Sequence, residues 1–229
     1  MSDSPAGVVF FFDVDNTLLD NDRIQQDLRE ELARCCGAEA RDRYWAILEE
    51  RRESLGYVDY LGALERYRDE HPRDARVLRM SNWLIDYPFA ERLYPGALAV
   101  LARVQAMAPV VILTDGDAVF QPRKVARAGL EGAVHGQVLV YVHKERMLDD
   151  VERLHPARHY VMVDDKLRIL AAMKATWGSR LTTVFVRQGH YATDPAVLRD
   201  YPAADASIAC IGDLLQEDLA SLAARGAVP

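Results

Sequence analysis

An unbroken apolar run, Val8-Val9-Phe10-Phe11-Phe12, ends on Asp13-Val14-Asp15-Asn16-Thr17, and this junction constrains the chain more than any other stretch. A short run of β-branched and aromatic residues without polar alternation suits a strand covered on both faces, as in a parallel sheet between helices. Two carboxylates two positions apart then stand where the strand stops. In open parallel α/β sheets, ligands bind outside the carboxyl ends of the strands. Two acids there are costly unless a cation or a shared proton compensates them. Either is useful for chemistry on a phosphate.

Similar apolar runs recur at Pro109–Leu113, Gln137–Val142, Tyr160–Val163 and Thr182–Val186. Helical patterns at Gly96–Ala106, Pro122–Ala128, Lys144–Leu154 and Leu167–Thr176 separate most of them. Strands alternating with helices imply parallel βαβ units with right-handed crossovers. The expected class is therefore α/β, a Rossmann-like doubly wound parallel sheet.

The interval from Asp20 to Leu93 breaks that rhythm. It is rich in Arg, Glu, Leu and Ala and holds no convincing strand. Leu28, Leu32 and Cys35/Cys36 share one helical face, and Tyr44, Ile47 and Leu48 another. A further helix is expected from Tyr57 to about Glu70, stopped by Pro72. Residues 20–93 thus read as an inserted α-helical unit, with residues 1–19 and 94–229 forming the core. Asn21-Asp22 and Tyr94-Pro95-Gly96 mark its boundaries. The tail from Gly212 predicts one last helix with Asp213 as N-cap.

Composition excludes several classes. The chain has 229 residues, 50% hydrophobic and 28% charged, enough for a sizeable core. A net charge of −7 argues against a dedicated nucleic-acid binder. Cys35, Cys36 and Cys210 form no CxxC pair and no disulfide framework, which points to a reducing, cytoplasmic setting. No stretch reaches the roughly 20 apolar residues of a membrane span, and MSDSPAG lacks the features of a secretory leader. No GxGxxG, GK[ST], GxSxG or HExxH pattern supports a nucleotide-cofactor, serine-hydrolase or zinc-peptidase reading.

Four strand ends offer polar groups: Asp13 and Asp15; Thr114, Asp115 and Gly116 after VVIL; Lys144 in VYVHKER; and Asp164 and Asp165 after YVMV. If the strands lie side by side, these groups meet in one cleft. Such a set can transfer a phosphoryl group. Asp13 can act as nucleophile through an aspartyl-phosphate, and Asp15 as acid and then base. Magnesium, Mg²⁺, suits an all-oxygen site. Asp13 and Asp164 are its expected side-chain ligands, with Asp15 contributing a backbone carbonyl. Thr114 and the N–H groups at Asp115 and Gly116 can hold phosphate oxygens, and Lys144 supplies a compact positive charge.

These motifs, in this order and at intervals of about 100, 30 and 20 residues, resemble the haloacid dehalogenase superfamily of phosphohydrolases. The likeness spans most of the chain, including LYPGALAVLARV before the second motif and ADASIACIGDLL near the end. It implies a helical cap in the insertion. It also implies Asp13 as nucleophile and metal ligand, Asp15 as acid/base, Thr114 and Lys144 on phosphate, and Asp164 on Mg²⁺. Asp165 is then expected to orient Lys144 or a water on the metal. Asn16 stands where Gly is common, and Lys144 lacks the Pro that frequently follows. The family's dehalogenases lack the second acid of the first motif, so Asp15 argues against dehalogenation.

The expectation is a Mg²⁺-dependent phosphomonoester hydrolase acting on a small phosphorylated metabolite, without nucleic acid or membrane as partner. A phosphomutase and a low-turnover regulatory module are the alternatives, and a homodimer is left open. Lys124 and Lys166 are the alternative candidates for the functional lysine. Cys35-Cys36, Arg51-Arg52, His143, Asp149-Asp150 and the turn Gly189-His190-Tyr191 read as structural.

Overall fold

The computed structural model describes residues 6–224. Its centre is a sheet of six strands, β1 (Ala6–Phe12), β2 (Val110–Asp115), β3 (Val138–Tyr141), β4 (Ala157–Asp164), β5 (Leu181–Val186) and β6 (Ala206–Ile208). Their spatial order is β3-β2-β1-β4-β5-β6, and every neighbouring pair is parallel. The order reverses direction between β1 and β4, so the crevice opens beside the end of β1.

Helices α1 (Asn21–Cys36), α2 (Ala38–Leu55), α3 (Tyr60–Glu70), α4 (Arg76–Asp86) and α5 (Ala97–Gln105) lie between β1 and β2 in the chain. Next come α6 (Phe120–Arg127) and α7 (Leu130–Ala133), then α8 (Leu148–Leu154), α9 (Leu167–Trp177), α10 (Gly189–Thr193), α11 (Pro195–Asp200) and α12 (Leu219–Ala224).

Side chains along β1 alternate between two cores, as the twofold strand period requires. Phe10 and Phe12 join one buried cluster, which continues through Leu18 and Leu19 into Ile24, Leu28, Tyr44 and Ile47 of the insertion. Val9 and Phe11 join the other, with Tyr160 and Trp177, whose rings stack 4.3 Å apart. Each buried Phe contributes roughly 2–3 kcal/mol from apolar area alone. The two linkers to the insertion run side by side. Asp20 N donates to Arg92 O at 2.8 Å and Tyr94 N to Leu18 O at 2.9 Å.

Four local expectations need correction. Strand β6 was not anticipated. It is three residues long and carries an exposed Ser207, too brief and polar for an apolar-run criterion, and its pairing with β5 creates it. The helix expected at Lys144–Leu154 is interrupted: Lys144–Arg146 forms a 3-10 turn and α8 begins at Leu148. The Lys144 backbone N–H is tied to Asp115 at 2.7 Å and its side chain is buried, which pins that turn. Asp213 is no N-cap. It lies inside the 3-10 turn Ile211–Leu215 and reaches back to the Cys210 N–H at 3.0 Å, while Asp218 caps α12. Gly189-His190-Tyr191 opens the short helix α10 rather than a turn.

Candidate active site

Asp13 follows β1 directly, and Asp164 ends β4, the strand paired with it through Phe12↔Val163. This register sets the two acids side by side. The carboxylates of Asp13, Asp164 and Asp165 approach within 4.8 Å of one another, and all three residues are buried. Lys144 arrives from the β3 end. Its ammonium lies 2.6 Å from Asp13 Oδ1 and 2.7 Å from Asp164 Oδ2, and it donates to the Leu113 carbonyl at 3.1 Å. The lysine is wholly buried. Of the three lysines considered from the sequence, Lys144 is the one whose ammonium pairs with Asp13 and Asp164 among the described residues.

Burial and charge act against each other here. Burial pushes the Asp164 carboxyl up to about 6, although Lys144 opposes the rise. Burial raises Asp165 well above the carboxylate range, against the pull of Lys166. Burial alone would lower Lys144, but Asp13 and Asp164 outweigh it and hold the ammonium above its ordinary value. Lys166 is raised in the same way, by Asp165 and Asp13 against desolvation. The cluster is thus three acids facing two lysines in a site where isolated charges are expensive.

The loop after β1 turns sharply at Asn16, whose φ is 59°. Asn is one of the few residues with a side chain that tolerate this conformation. It also does what glycine there cannot. Asn16 Oδ1 accepts the N–H groups of Asn21 and Asp22 at 3.0 and 3.1 Å, tying the loop to the first turn of α1. The Asp15 carboxylate stands outside the three-acid cluster. Both its oxygens accept from Lys124 Nζ at 2.8 Å, and Lys124 is almost wholly buried on α6. Lys124 also reaches Asn21 Oδ1 at 3.3 Å. Asp15 was expected to reach a metal through its backbone carbonyl; its side chain is turned to Lys124, and the third carboxylate beside Asp13 and Asp164 is that of Asp165.

At the end of β2, Thr114 is buried and its hydroxyl accepts a hydrogen bond from Gln121 Nε2 at 3.1 Å. A hydroxyl that accepts from Gln121 keeps its own proton to give. Gly116 is required by this contact, since a Cβ there would stand 2.5 Å from Gln121 Cβ. One expectation about phosphate is corrected, that for Gly116. The Gly116 N–H is already used, donating to Tyr141 O at 2.8 Å, and the Asp115 carboxylate accepts the Lys144 N–H at 2.7 Å. These groups hold the Lys144 turn in place. Burial raises the Asp115 carboxyl, with Lys144 opposing. Gln121 escaped sequence reasoning because a Gln in QPRK carries no motif; only the packing of α6 against β2 brings it to Thr114.

The donor set fits a hard divalent cation. Asp13 Oδ2 and both Asp165 oxygens are buried and accept no hydrogen bond among the described residues. Buried carboxylate oxygens without donors call for a compensating charge, and an all-oxygen group suits Mg²⁺. No helix among the described residues is long and apolar enough to cross a membrane.

The model of the haloacid dehalogenase-like hydrolases matches residues 8–175. A protein of Burkholderia xenovorans LB400 assigned as a haloacid dehalogenase-like hydrolase is 60% identical, with a TM-score of 0.91 over 95% of this chain and 99% of that one. The L-2-haloacid dehalogenase of Xanthobacter autotrophicus, solved with chloropropionic acid covalently bound, has a TM-score of 0.60 at 18% identity, over 91% and 96% of the chains. The magnesium-bound hydrolase YfnB of Bacillus subtilis has a TM-score of 0.60 at 16% identity, over 92% and 98%. The last two share the fold. No curated protein matches the sequence.

Proposed function

The chain belongs to the haloacid dehalogenase-like hydrolases, and from that premise we propose that it is a Mg²⁺-dependent phosphatase that hydrolyses a small phosphomonoester through an aspartyl-phosphate on Asp13. One observation carries the reading: a buried three-acid cluster with donor-free oxygens, a buried lysine against it, and a further acid two residues from the nucleophile.

Asp13, Asp164 and Asp165 are the residues that would hold Mg²⁺, which when bound offsets the repulsion between the Asp13 carboxylate and an anionic phosphate. The remaining chemistry belongs to the chain. A carboxylate oxygen of Asp13 attacks phosphorus as the bond to the leaving oxygen breaks. The departing oxygen takes a proton from Asp15. Water then attacks the phosphorus of the aspartyl-phosphate, gives its proton to Asp15, and releases phosphate and the Asp13 carboxylate. Lys144 offsets charge on the transferred group, and the Thr114 hydroxyl donates its free proton to it. Asp15 is released from Lys124 for these transfers, so the Lys124–Asp15 pair represents a resting arrangement.

The insertion at residues 20–93 acts as a cap that excludes water. Its motion would pivot where the two linkers pair, at Leu18–Asp22 and Arg92–Gly96. In support, Gly56 at the end of α2 lies so close to His143, the neighbour of Lys144, that a Cβ would meet the imidazole at 2.6 Å.

A dehalogenase asks less of this site. Halide leaves without a proton, and a carboxylate substrate attacked at carbon needs no cation beside the nucleophile. Asp15 and the donor-free acids would then have no task. The test offers para-nitrophenyl phosphate with and without Mg²⁺, and separately a 2-haloacid. We expect phosphate release that needs the metal and falls by a factor of about 10³ or more in Asp13→Asn. Halide release without phosphate release, or equal phosphate release by parent and variant, would overturn the reading.

A further inference from the structure

Beside the acid cluster lies a cavity of about 520 Å³, walled by the last turns of α2, by the start of α9 and by α10 and α11. Its volume suits a small organic group. Its charge is unusual for a chain with a net charge of −7. Three cations, Arg52, Lys166 and Arg168, face it against two acids, Glu49 and Glu53. Glu49 is already paired with Arg52 at 3.2 Å, and Arg168 shares its charge with Glu145 at 2.8 Å. The cavity adjoins the catalytic residues at Lys166, which lines it and whose backbone N–H donates to Asp164 Oδ1 at 2.8 Å.

Tyr191 organises this space. Lys166 from the core lies 5.2 Å above its ring and Arg52 from the insertion 5.8 Å, while the Arg52 guanidinium also contacts the Tyr191 hydroxyl. One aromatic ring thus gathers a cation from each side of the cleft, a cation–π arrangement that places both heads at the cavity wall. Tyr201 adds a second phenol to the wall. A planar guanidinium fork beside phenolic donors matches the two oxygens of a carboxylate. With Glu145 counted, cations and acids at this wall balance, and a carboxylate held by directed hydrogen bonds suits it better than a second phosphate dianion.

We propose that this cavity is the leaving-group subsite and that the substrate is a phosphomonoester carrying a carboxylate on its organic part. The assignment of substrate class rests on the phosphatase reading above; the binding claim does not. Arg52, from the insertion, then contacts substrate only when the insertion and the core are together, so the carboxylate favours the closed form.

The test compares carboxypropyl phosphate with hydroxybutyl phosphate, a pair of similar length differing in the remote charge. The parent should favour the carboxylate by roughly tenfold or more in kcat/KM, as charge-assisted hydrogen bonds allow. Arg52→Gln and Arg168→Gln should each shrink that ratio, chiefly through KM for the charged probe. Calorimetric titration with the corresponding phosphonates, which cannot be hydrolysed, reads the same preference without turnover. Equal use of the two probes, a preference for the neutral one, or a ratio unchanged in both variants would overturn the subsite. If neither phosphate is hydrolysed, the phosphatase reading falls, and the phosphonate titration alone decides the cavity's preference for a carboxylate.

Discussion

At the scale of single residues, the site depends on side chains that hold other side chains. Gln121 fixes the Thr114 hydroxyl as an acceptor and so frees its proton. Gln121→Met keeps the volume and loses the bond; kcat for aryl phosphate should drop about tenfold with KM little changed. An unchanged kcat would remove Gln121 from the mechanism. Asn16 supports the loop after β1 through a left-handed turn and two bonds to α1. Asn16→Ala should cost about 1–2 kcal/mol, and Asn16→Gly less, because glycine keeps the turn and loses only the cap. Thermal unfolding of the three proteins checks the order. The acids and Thr114 were legible because each ends an apolar run. Gln121 and the Lys124–Asp15 pair were not, because α6 brings them in through packing and no local pattern records that distance.

At the scale of elements, the two ends of the insertion are tied to each other by polar contacts near its hinge. Asp27 on α1 accepts from Arg92 Nη2 and Nε at 2.8 and 3.0 Å and from the Tyr87 hydroxyl. Burial would raise the Asp27 carboxyl, but the Tyr87 and Arg92 bonds outweigh it and hold it below the ordinary value of 3.8. A depressed acid stabilises the fold above its unfolded value, and that stability is lost as pH falls through the folded one. The parent should therefore lose stability below about pH 4, and Asp27→Asn should show a lower Tm at neutral pH with a flatter acid limb. Identical acid limbs would exclude the pair as a contributor. Helical periodicity was readable in α1 and α2, whose buried Leu28, Leu32, Tyr44, Ile47 and Leu48 are the residues the pattern selects. Strand β6 was not, since a three-residue edge exists only by pairing with β5.

At the scale of the whole molecule, distant segments become one site because the parallel sheet gathers its strand ends. The alternating strand and helix pattern made that sheet legible. Its spatial order, which sets β4 beside β1, follows from helix packing on both faces and lies beyond any single stretch. On the proposed reading, three buried acids should make the protein responsive to cations. Mg²⁺ at about 100 times its Kd should raise stability by about 2.7 kcal/mol, and Asp165→Asn should diminish the shift in Tm. No shift in the parent would argue against a metal at the acids. The most direct measurement is acid quenching during turnover of para-nitrophenyl phosphate with Mg²⁺, followed by peptide mass analysis. An added phosphoryl group should appear on Asp13 and accumulate in Asp15→Asn, where water attack lacks its base. Turnover with no phosphoryl group on Asp13 in either protein, or one carried by a different residue, would contradict the mechanism.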